Sequence, residues 1–134
     1  MIWVLDTSAL VRAYVPDGPV PVNLSTAFGQ VESGESVLVA PELILAETGQ
    51  VLRRKSDRGE MSQSEATELL DSVLELPIRT LSHRELISRS LDLATETGLT
   101  VYDALYLAAA ERSSGILITA DDALHAVAAR KGLA

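Results

Sequence analysis

Short apolar runs that alternate with longer helical patterns are the feature that most constrains how this chain folds. Three runs are continuous, at 2–5, 37–40 and 115–118. Such short runs, rich in β-branched residues and leucine, are typical of strands buried on both faces of a sheet. A fourth candidate, 76–81, is weaker because it contains Pro77. Buried strands separated by helices predict an α/β fold with a central, mostly parallel sheet of about four strands and helices on both faces.

Helical periodicity fills the intervals between these strands. Apolar residues recur at three- and four-residue spacing over about 42–56, 63–75 and 84–97, and an alanine-rich pattern covers about 102–113. A last helix is predicted to start near 121 and run towards Lys131. Three of the prolines lie within 16–21, which predicts a loop leading into a further short helix. Since no long linker or repeat divides the chain, residues 1–134 are predicted to form a single domain.

Composition narrows the kinds of site that the chain can hold. Its 134 residues include no cysteine, two histidines, 19 acids and 11 bases, for a net charge of −8. Thiolate zinc sites, disulfides and multi-histidine sites are therefore excluded, and any bound metal must be held by oxygen. The negative charge argues against a protein that coats nucleic acid, but it leaves room for an enzyme with a local basic patch.

The amino-terminal residues and the apolar runs bear on location. Met1 to Asp6 lack a basic region and reach a charge too early for a signal peptide. No apolar run approaches the ~20 residues needed to span a bilayer. We therefore expect a cytoplasmic protein. An aromatic content of 4% argues against stacking platforms for several bases.

Four acidic residues occupy positions that solvated helix faces do not explain. Asp6 directly follows the first strand, Asp121 follows the strand at 115–118, Glu47 lies on the apolar stripe of its helix, and Asp103 starts the alanine-rich helix. Ligands of parallel α/β sheets bind at the carboxyl ends of the strands, beside a switch in strand order. Carboxylates gathered there repel one another unless a cation neutralises them. An all-oxygen site suits Mg²⁺ or Mn²⁺, which can activate water for phosphodiester hydrolysis.

Two of these acids also have structural explanations that the sequence leaves open. Asp6 can cap the helix that follows the first strand, although Thr7 or Ser8 could serve instead. A carboxylate on an apolar stripe normally has a partner, and for Glu47 that partner could be Arg53 or Arg54 rather than a metal.

The other two acids raise the same question. Asp103 fits a capping box with Thr100, and in isolation the capping explanation is the stronger one. Asp122 completes a similar pattern with Thr119, so Asp122 is the better capping candidate and Asp121 the better site candidate. Whether Asp122 also contributes to the site is left open.

Four segments together resemble the PIN-domain nucleases, and most closely the VapC-type toxins of prokaryotic toxin–antitoxin pairs. The segments read LDTSAL at 5–10, PEL leading to AE at 41–47, YDALYLA at 102–108 and ITAD at 118–121. They span nearly the whole chain, in the order and at the spacing usual for the family.

This resemblance implies a PIN-like, Rossmann-like three-layer sandwich whose acidic pocket binds Mg²⁺ or Mn²⁺. It implies an endoribonuclease that hydrolyses single-stranded or structured RNA, tRNA included, and that forms a homodimer silenced by a cognate antitoxin. The family's four acidic positions fall on Asp6, Glu47, Asp103 and Asp121. Of these, Asp6, Asp103 and Asp121 are expected to hold the metal, with supporting hydroxyls from Thr7 and Thr119.

Contact with RNA requires local positive charge because the net charge repels it. The candidates are Arg12, Arg53, Arg54 and Lys55, although the last three could instead only oppose the dipole of their helix. Family members commonly add a last short strand where this chain has 131–134, so we expect the sheet to be a strand short at that edge. The alternative function is a catalytically silent PIN-like domain that binds a partner.

Overall fold

A computed structural model describes residues 1–134 and contains one sheet of four parallel strands. The strands are β1 (Ile2–Leu5), β2 (Val37–Pro41), β3 (Ile78–Leu81) and β4 (Ile116–Ile118), in the order β3-β2-β1-β4. The central strand β1 pairs with β2 on one side and with β4 on the other. After β1 the chain adds β2 and β3 on one side of β1, and it later adds β4 on the opposite side. This switch in strand order leaves a crevice at the carboxyl ends of β1 and β4, where ligands of such sheets bind.

Seven helices complete a three-layer α/β sandwich and confirm the predicted fold class. They are α1 (Thr7–Tyr14), α2 (Leu24–Glu32), α3 (Leu43–Asp57), α4 (Gln63–Glu75), α5 (His83–Thr97), α6 (Val101–Ser113) and α7 (Asp122–Arg130). None of them is long and apolar enough to cross a membrane.

The elements differ from the prediction at two places. The weak strand candidate exists as β3, at an edge of the sheet, and Pro77 precedes the strand rather than interrupting it. Helix α1 starts only two residues after β1 ends. It was implied by the possible capping role of Asp6, but eight residues are too few to show a clear apolar period.

The outer edge of β4 is partly covered by the residues that follow α7. Gly132 adopts a left-handed conformation with φ of 71°, which a residue with a side chain rarely takes. The chain turns there, and the carbonyl oxygen of Leu133 accepts a hydrogen bond of 2.7 Å from the backbone N–H of Leu117. The sheet has no fifth strand, as expected, but this bond satisfies one donor of the edge.

Helix α6 lies at the centre of the molecule and packs against the sheet and α5. Every residue from Ala104 to Ala110 is buried, so this helix has no solvated face within that stretch. Four of these seven residues are alanines, and their short side chains let neighbouring elements approach closely. This packing determines where the amino end of α6 lies, and the site described below depends on that position.

Because α6 is enclosed on all sides between Ala104 and Ala110, a larger side chain in that stretch should strain the core. We expect Ala108→Leu to lower the free energy of unfolding by about 1–3 kcal/mol. Ala126→Leu places the same side chain on an exposed position of α7 and should change it by less than about 0.5 kcal/mol. Urea denaturation followed by circular dichroism measures both. Equal stability of the two variants would show that α6 is not tightly packed.

Candidate active site

Asp6 joins the ends of three elements. Its Oδ1 accepts hydrogen bonds from the backbone N–H of Ala9 (2.9 Å) and from the hydroxyl of Ser8 (2.8 Å), and its Oδ2 accepts one from the hydroxyl of Thr119. Asp6 is therefore itself the cap of α1, and neither of the alternatives, Thr7 and Ser8, takes that role. Burial raises the pKa of Asp6, and the charge of Asp121 adds to the rise, while the hydrogen bonds oppose it.

Thr119 connects Asp6 to the segment that carries Asp121. Its Oγ1 donates to Asp6 and accepts a 3.0 Å hydrogen bond from the backbone N–H of Asp121. Ser8 reinforces this link because its Oγ accepts from the backbone N–H of Ala120 at 2.9 Å. The carboxyl ends of β1 and β4 are thus held together by side chains as well as by the sheet.

Glu47 is held by hydroxyls and not by an arginine. Its Oε1 accepts hydrogen bonds from Thr7 Oγ1 (2.9 Å) and from the phenol of Tyr106 (2.5 Å). The expected partners do not contact it, and Arg53 instead forms a 3.5 Å ion pair with Asp57 one turn along the same helix. Only Oε1 is engaged in these bonds, so the second carboxylate oxygen has no hydrogen-bond partner within the protein.

Tyr106 is the functional residue that sequence reasoning missed. It is 2% exposed, and its hydroxyl lies 2.9 Å from Thr7 Oγ1 as well as 2.5 Å from Glu47. Burial and the bond to Glu47 raise the pKa of the Tyr106 phenol well above its usual value, so the phenol remains a donor. The sequence feature that could have identified Tyr106 is a tyrosine within a buried, alanine-rich helix, because a buried phenol normally needs a hydrogen-bond partner.

Asp121 combines the two roles that the sequence assigned to separate residues. Its Oδ1 accepts a 2.9 Å hydrogen bond from the backbone N–H of Leu124, so Asp121 caps α7. Asp122, the predicted cap, is instead the exposed first residue of that helix, and that assignment was wrong. Asp121 still lines the acidic cavity, because the bond to Leu124 occupies only one of its two oxygens.

Asp103 takes no part in a complete capping box. Its backbone N–H donates to Thr100 Oγ1 at 3.1 Å, but its carboxylate does not accept from the backbone N–H of Thr100 in return. Thr100 alone is therefore the cap of α6. Burial raises the pKa of Asp103, and the charges of Asp121 and Glu47 raise it further. Asp121 and Glu47 both line the same cavity as Asp103, close enough to disfavour its charged form.

All four predicted acids line one open cavity of about 550 Å³ at the carboxyl end of the sheet. None of them forms an ion pair with a lysine or arginine. The cavity is completed by Thr7, Ser8, Val11, Arg12, Asp17, Leu43, Gln50, Val51, Arg54, Tyr102 and Tyr106.

The donor set fits Mg²⁺ or Mn²⁺ in its chemistry, since these ions favour carboxylate oxygens and the mutually repelling acids have no ion-pair partner. In the geometry described here, no three of the acids lie close enough together to hold one ion. An ion shared by three carboxylates therefore requires some of these side chains to rotate.

Two of the basic residues predicted to contact RNA lie away from the acidic cavity. Lys55 is buried and forms ion pairs with Asp17 and, at 3.7 Å, with Glu60. Arg53 lies at a different cavity, between α3 and α4. Neither residue lines the acidic cavity, because α3 turns Arg53 away from the acids, and the loop after α1 supplies an acid for Lys55.

Arg12 and Arg54 remain at the acidic cavity. Arg54 is exposed and forms no ion pair. Arg12 donates a 2.9 Å hydrogen bond to the carbonyl oxygen of Pro19, so it also holds the loop after α1 in place. Arg12 keeps further N–H donors, and Arg54 forms no side-chain hydrogen bond or ion pair, so Arg54 is the less constrained of the two cations at this cavity.

Comparison with known proteins agrees with this arrangement. The family model described as PIN domain matches residues 3–130, and the chain therefore belongs to the PIN-domain family. A curated relative named Ribonuclease VapC3, from Pyrobaculum aerophilum, is 31% identical over 123 residues, which cover 90% of each chain. The resemblance to VapC-type proteins is thereby confirmed.

Solved structures match the fold over nearly its whole length. PAE2754 from Pyrobaculum aerophilum superposes with a TM-score of 0.70 and 26% identity, over 94% of this chain and 78% of that one. VapC20 from Mycobacterium tuberculosis, described as a toxin that cleaves the sarcin–ricin loop, superposes with a TM-score of 0.66 and 18% identity, over 95% of each chain. The latter likeness concerns the fold alone.

The crowding of unpaired acids should be measurable as a stability cost. The pKa of Asp103 is raised, so its ionised form costs stability at neutral pH, and this cost disappears as the pH falls below its ordinary pKa of 3.8. We expect Asp103→Asn to raise the melting temperature at pH 7 in the absence of metal, and the gain to shrink towards pH 4.

Asp122→Asn is the control for this measurement. Asp122 also lies in the first turn of a helix but outside the cavity, so losing its charge removes a favourable interaction with the helix dipole. Its melting temperature should be slightly lowered. A clear loss of stability in Asp103→Asn at pH 7 would mean that the carboxylate serves the helix and not a charged cluster.

Proposed function

We propose that this protein is a divalent-metal-dependent endoribonuclease that hydrolyses phosphodiester bonds of single-stranded RNA, and that it acts as the toxin of a toxin–antitoxin pair. The observation that carries the proposal is the set of four carboxylates around one open cavity with no basic partner. The relative named Ribonuclease VapC3 supports the same activity for this fold.

The residues of the cavity divide into ligands and positioning groups. Asp6, Asp103 and Asp121 are the proposed ligands of Mg²⁺ or Mn²⁺. When bound, such an ion supplies an activated water and neutralises charge on the leaving oxygen. Asp6 is held by Thr119, Ser8 and Ala9, so it provides a fixed point on which the more exposed acids can converge.

Glu47 is suited to orient the attacking water. Thr7 and Tyr106 occupy its Oε1, which limits the carboxylate to one orientation and leaves Oε2 to accept a proton or a hydrogen bond. Thr7 thereby serves as a support, the role that the family resemblance implies for it. Thr119 supports Asp6 in the same way.

The shape of the site favours a flexible strand as substrate. A cavity of about 550 Å³ has room for a single nucleotide but not for a duplex. Bases that are unstacked in loops or single strands can enter such a site, whereas paired bases cannot. Structured RNA, tRNA included, is therefore a proposed substrate only through its unpaired segments.

Control by a partner belongs to the same proposal. The open acidic cavity and the net charge of −8 suit an antitoxin segment that brings basic residues to the site. VapC20, which has the same fold, is described as a toxin. Assembly as a homodimer, which the family resemblance implies, stays a prediction.

Neighbouring aspartates at the start of α7 test the catalytic assignment. Asp121→Asn should keep the helix cap, because asparagine caps as well as aspartate, but it removes a proposed ligand. We expect RNA cleavage in Mn²⁺ to fall by roughly 100-fold or more. Asp122→Asn should cleave at the wild-type rate, and chelation of the metal should stop both the wild type and Asp122→Asn.

Three results would contradict this function. They are cleavage that continues unchanged in a chelator, an Asp121→Asn variant as active as the wild type, and no cleavage of a mixed RNA pool in either Mg²⁺ or Mn²⁺. The last result would favour the silent partner-binding domain.

Neighbouring arginines on α3 test the basic side of the cavity. Arg54→Ala should weaken the binding of single-stranded RNA and reduce the slope of log K against log salt by ~0.7, the value for one phosphate contact. Arg53→Ala removes an equal charge that lies at another cavity, and its slope should match the wild type. Fluorescence anisotropy of a labelled RNA across a salt series measures both. Identical slopes for the two variants would exclude Arg54 as a phosphate contact.

A further inference from the structure

Tyr102 is the single aromatic side chain of the protein that lies largely in solvent. It is 63% exposed, whereas Trp3 and Tyr106 are 6% and 2% exposed, and Tyr14 and Phe28 are partly buried against the core. An isolated exposed ring needs no explanation in itself. The position of Tyr102 at the acidic cavity, however, suggests a role for its exposed ring.

Tyr102 is the second residue of α6 and lines the acidic cavity next to Asp103. The cavity is also lined by one face of α3, where Glu47, Gln50 and Arg54 follow one another at helical spacing. Moving outward along α3, this face changes from a carboxylate to an amide and then to a guanidinium. The ring, the amide and the guanidinium can therefore contact parts of one bound molecule near the acids.

The charges of this cavity make phosphate contacts a weak source of affinity. The four acids of the site and Asp17 line it, against two cations, Arg12 and Arg54. Arg12 is held by its hydrogen bond to Pro19, whereas Arg54 forms none, so Arg54 is the cation with the greater freedom to reach a phosphate. Stacking of a base on an aromatic ring does not depend on net charge, and so it can bind RNA where electrostatic attraction cannot.

We propose that Tyr102 is a stacking platform for one unpaired base next to the scissile phosphate, with Arg54 contacting the flanking phosphate and Gln50 placed to meet the base edge. This subsite rests on the proposed ribonuclease function. It selects single-stranded over duplex RNA, because a base within a duplex is already stacked on its neighbours and cannot reach the ring. It also explains how a protein of charge −8 can hold RNA at all.

Binding of a fluorescein-labelled, mixed-sequence 12-nucleotide single-stranded RNA tests the platform. Anisotropy is measured in EDTA, so that cleavage does not interfere, and with the same RNA annealed to its complement. Tyr102→Ala should bind the single strand roughly 5- to 100-fold more weakly, the range for one base on one ring. Its affinity for the duplex should equal that of the wild type.

Two further variants separate stacking from a general effect on the fold. Tyr102→Phe keeps the ring and should recover most of the affinity that Tyr102→Ala loses. Leu91→Ala removes an exposed apolar side chain from α5, 59% exposed and outside the cavity, and should leave binding and cleavage at wild-type values.

Cleavage kinetics supply a second readout. Stacking stabilises the bound substrate and the transition state alike, so Tyr102→Ala should raise KM while kcat changes little. The platform is overturned if Tyr102→Ala binds and cleaves single-stranded RNA as the wild type does, if Tyr102→Phe fails to recover affinity, or if affinity for duplex falls equally. If the wild type neither binds nor cleaves RNA, the proposed function fails and the platform fails with it. If the wild type cleaves RNA and Tyr102→Ala cleaves it with the same KM, the platform fails alone.

Discussion

The buried carboxylate of Asp6 is the interaction on which the rest of the site depends. It accepts from the first turn of α1 through Ala9 and from the end of β4 through Thr119, so it joins two elements that lie far apart in sequence. These bonds offset part of the cost of burying a charge, but its pKa remains raised. Both carboxylate oxygens of Asp6 thus accept hydrogen bonds, but no basic residue neutralises its charge.

The other three acids of the site also lack a basic partner for their charge. Asp103 and Asp121 repel each other, and Glu47 adds a further negative charge that only hydroxyls contact. Arg12 and Arg54 line the same cavity, but neither forms an ion pair with these acids, and Lys55 pairs instead with Asp17. Carboxylates without ion-pair partners have the chemistry that a divalent cation favours. Their side chains must still rotate before three of them can share one ion.

The sequence predicted the sheet, most helices and the four acids at the site because these follow from local patterns and from one topological rule. It did not predict which side chains pair across the fold. A carboxylate has two oxygens, so Asp6 and Asp121 each cap a helix and still line the cavity. In the sequence, capping and site roles read as alternatives, so this combination could not be recognised there. The bond from Tyr106 to Glu47 and the loss of Lys55 to Asp17 depend on packing between distant segments.

Calorimetric titration of Mn²⁺ into the metal-free protein tests the central claim most directly, because it needs neither a substrate nor catalysis. The account predicts saturable binding to the wild type, binding of equal strength to Asp122→Asn, and a large loss of affinity in Asp121→Asn, whose helix cap is preserved. It further predicts that the bound ion raises the melting temperature. Absence of binding to the folded wild type, or equal binding to all three proteins, would contradict it.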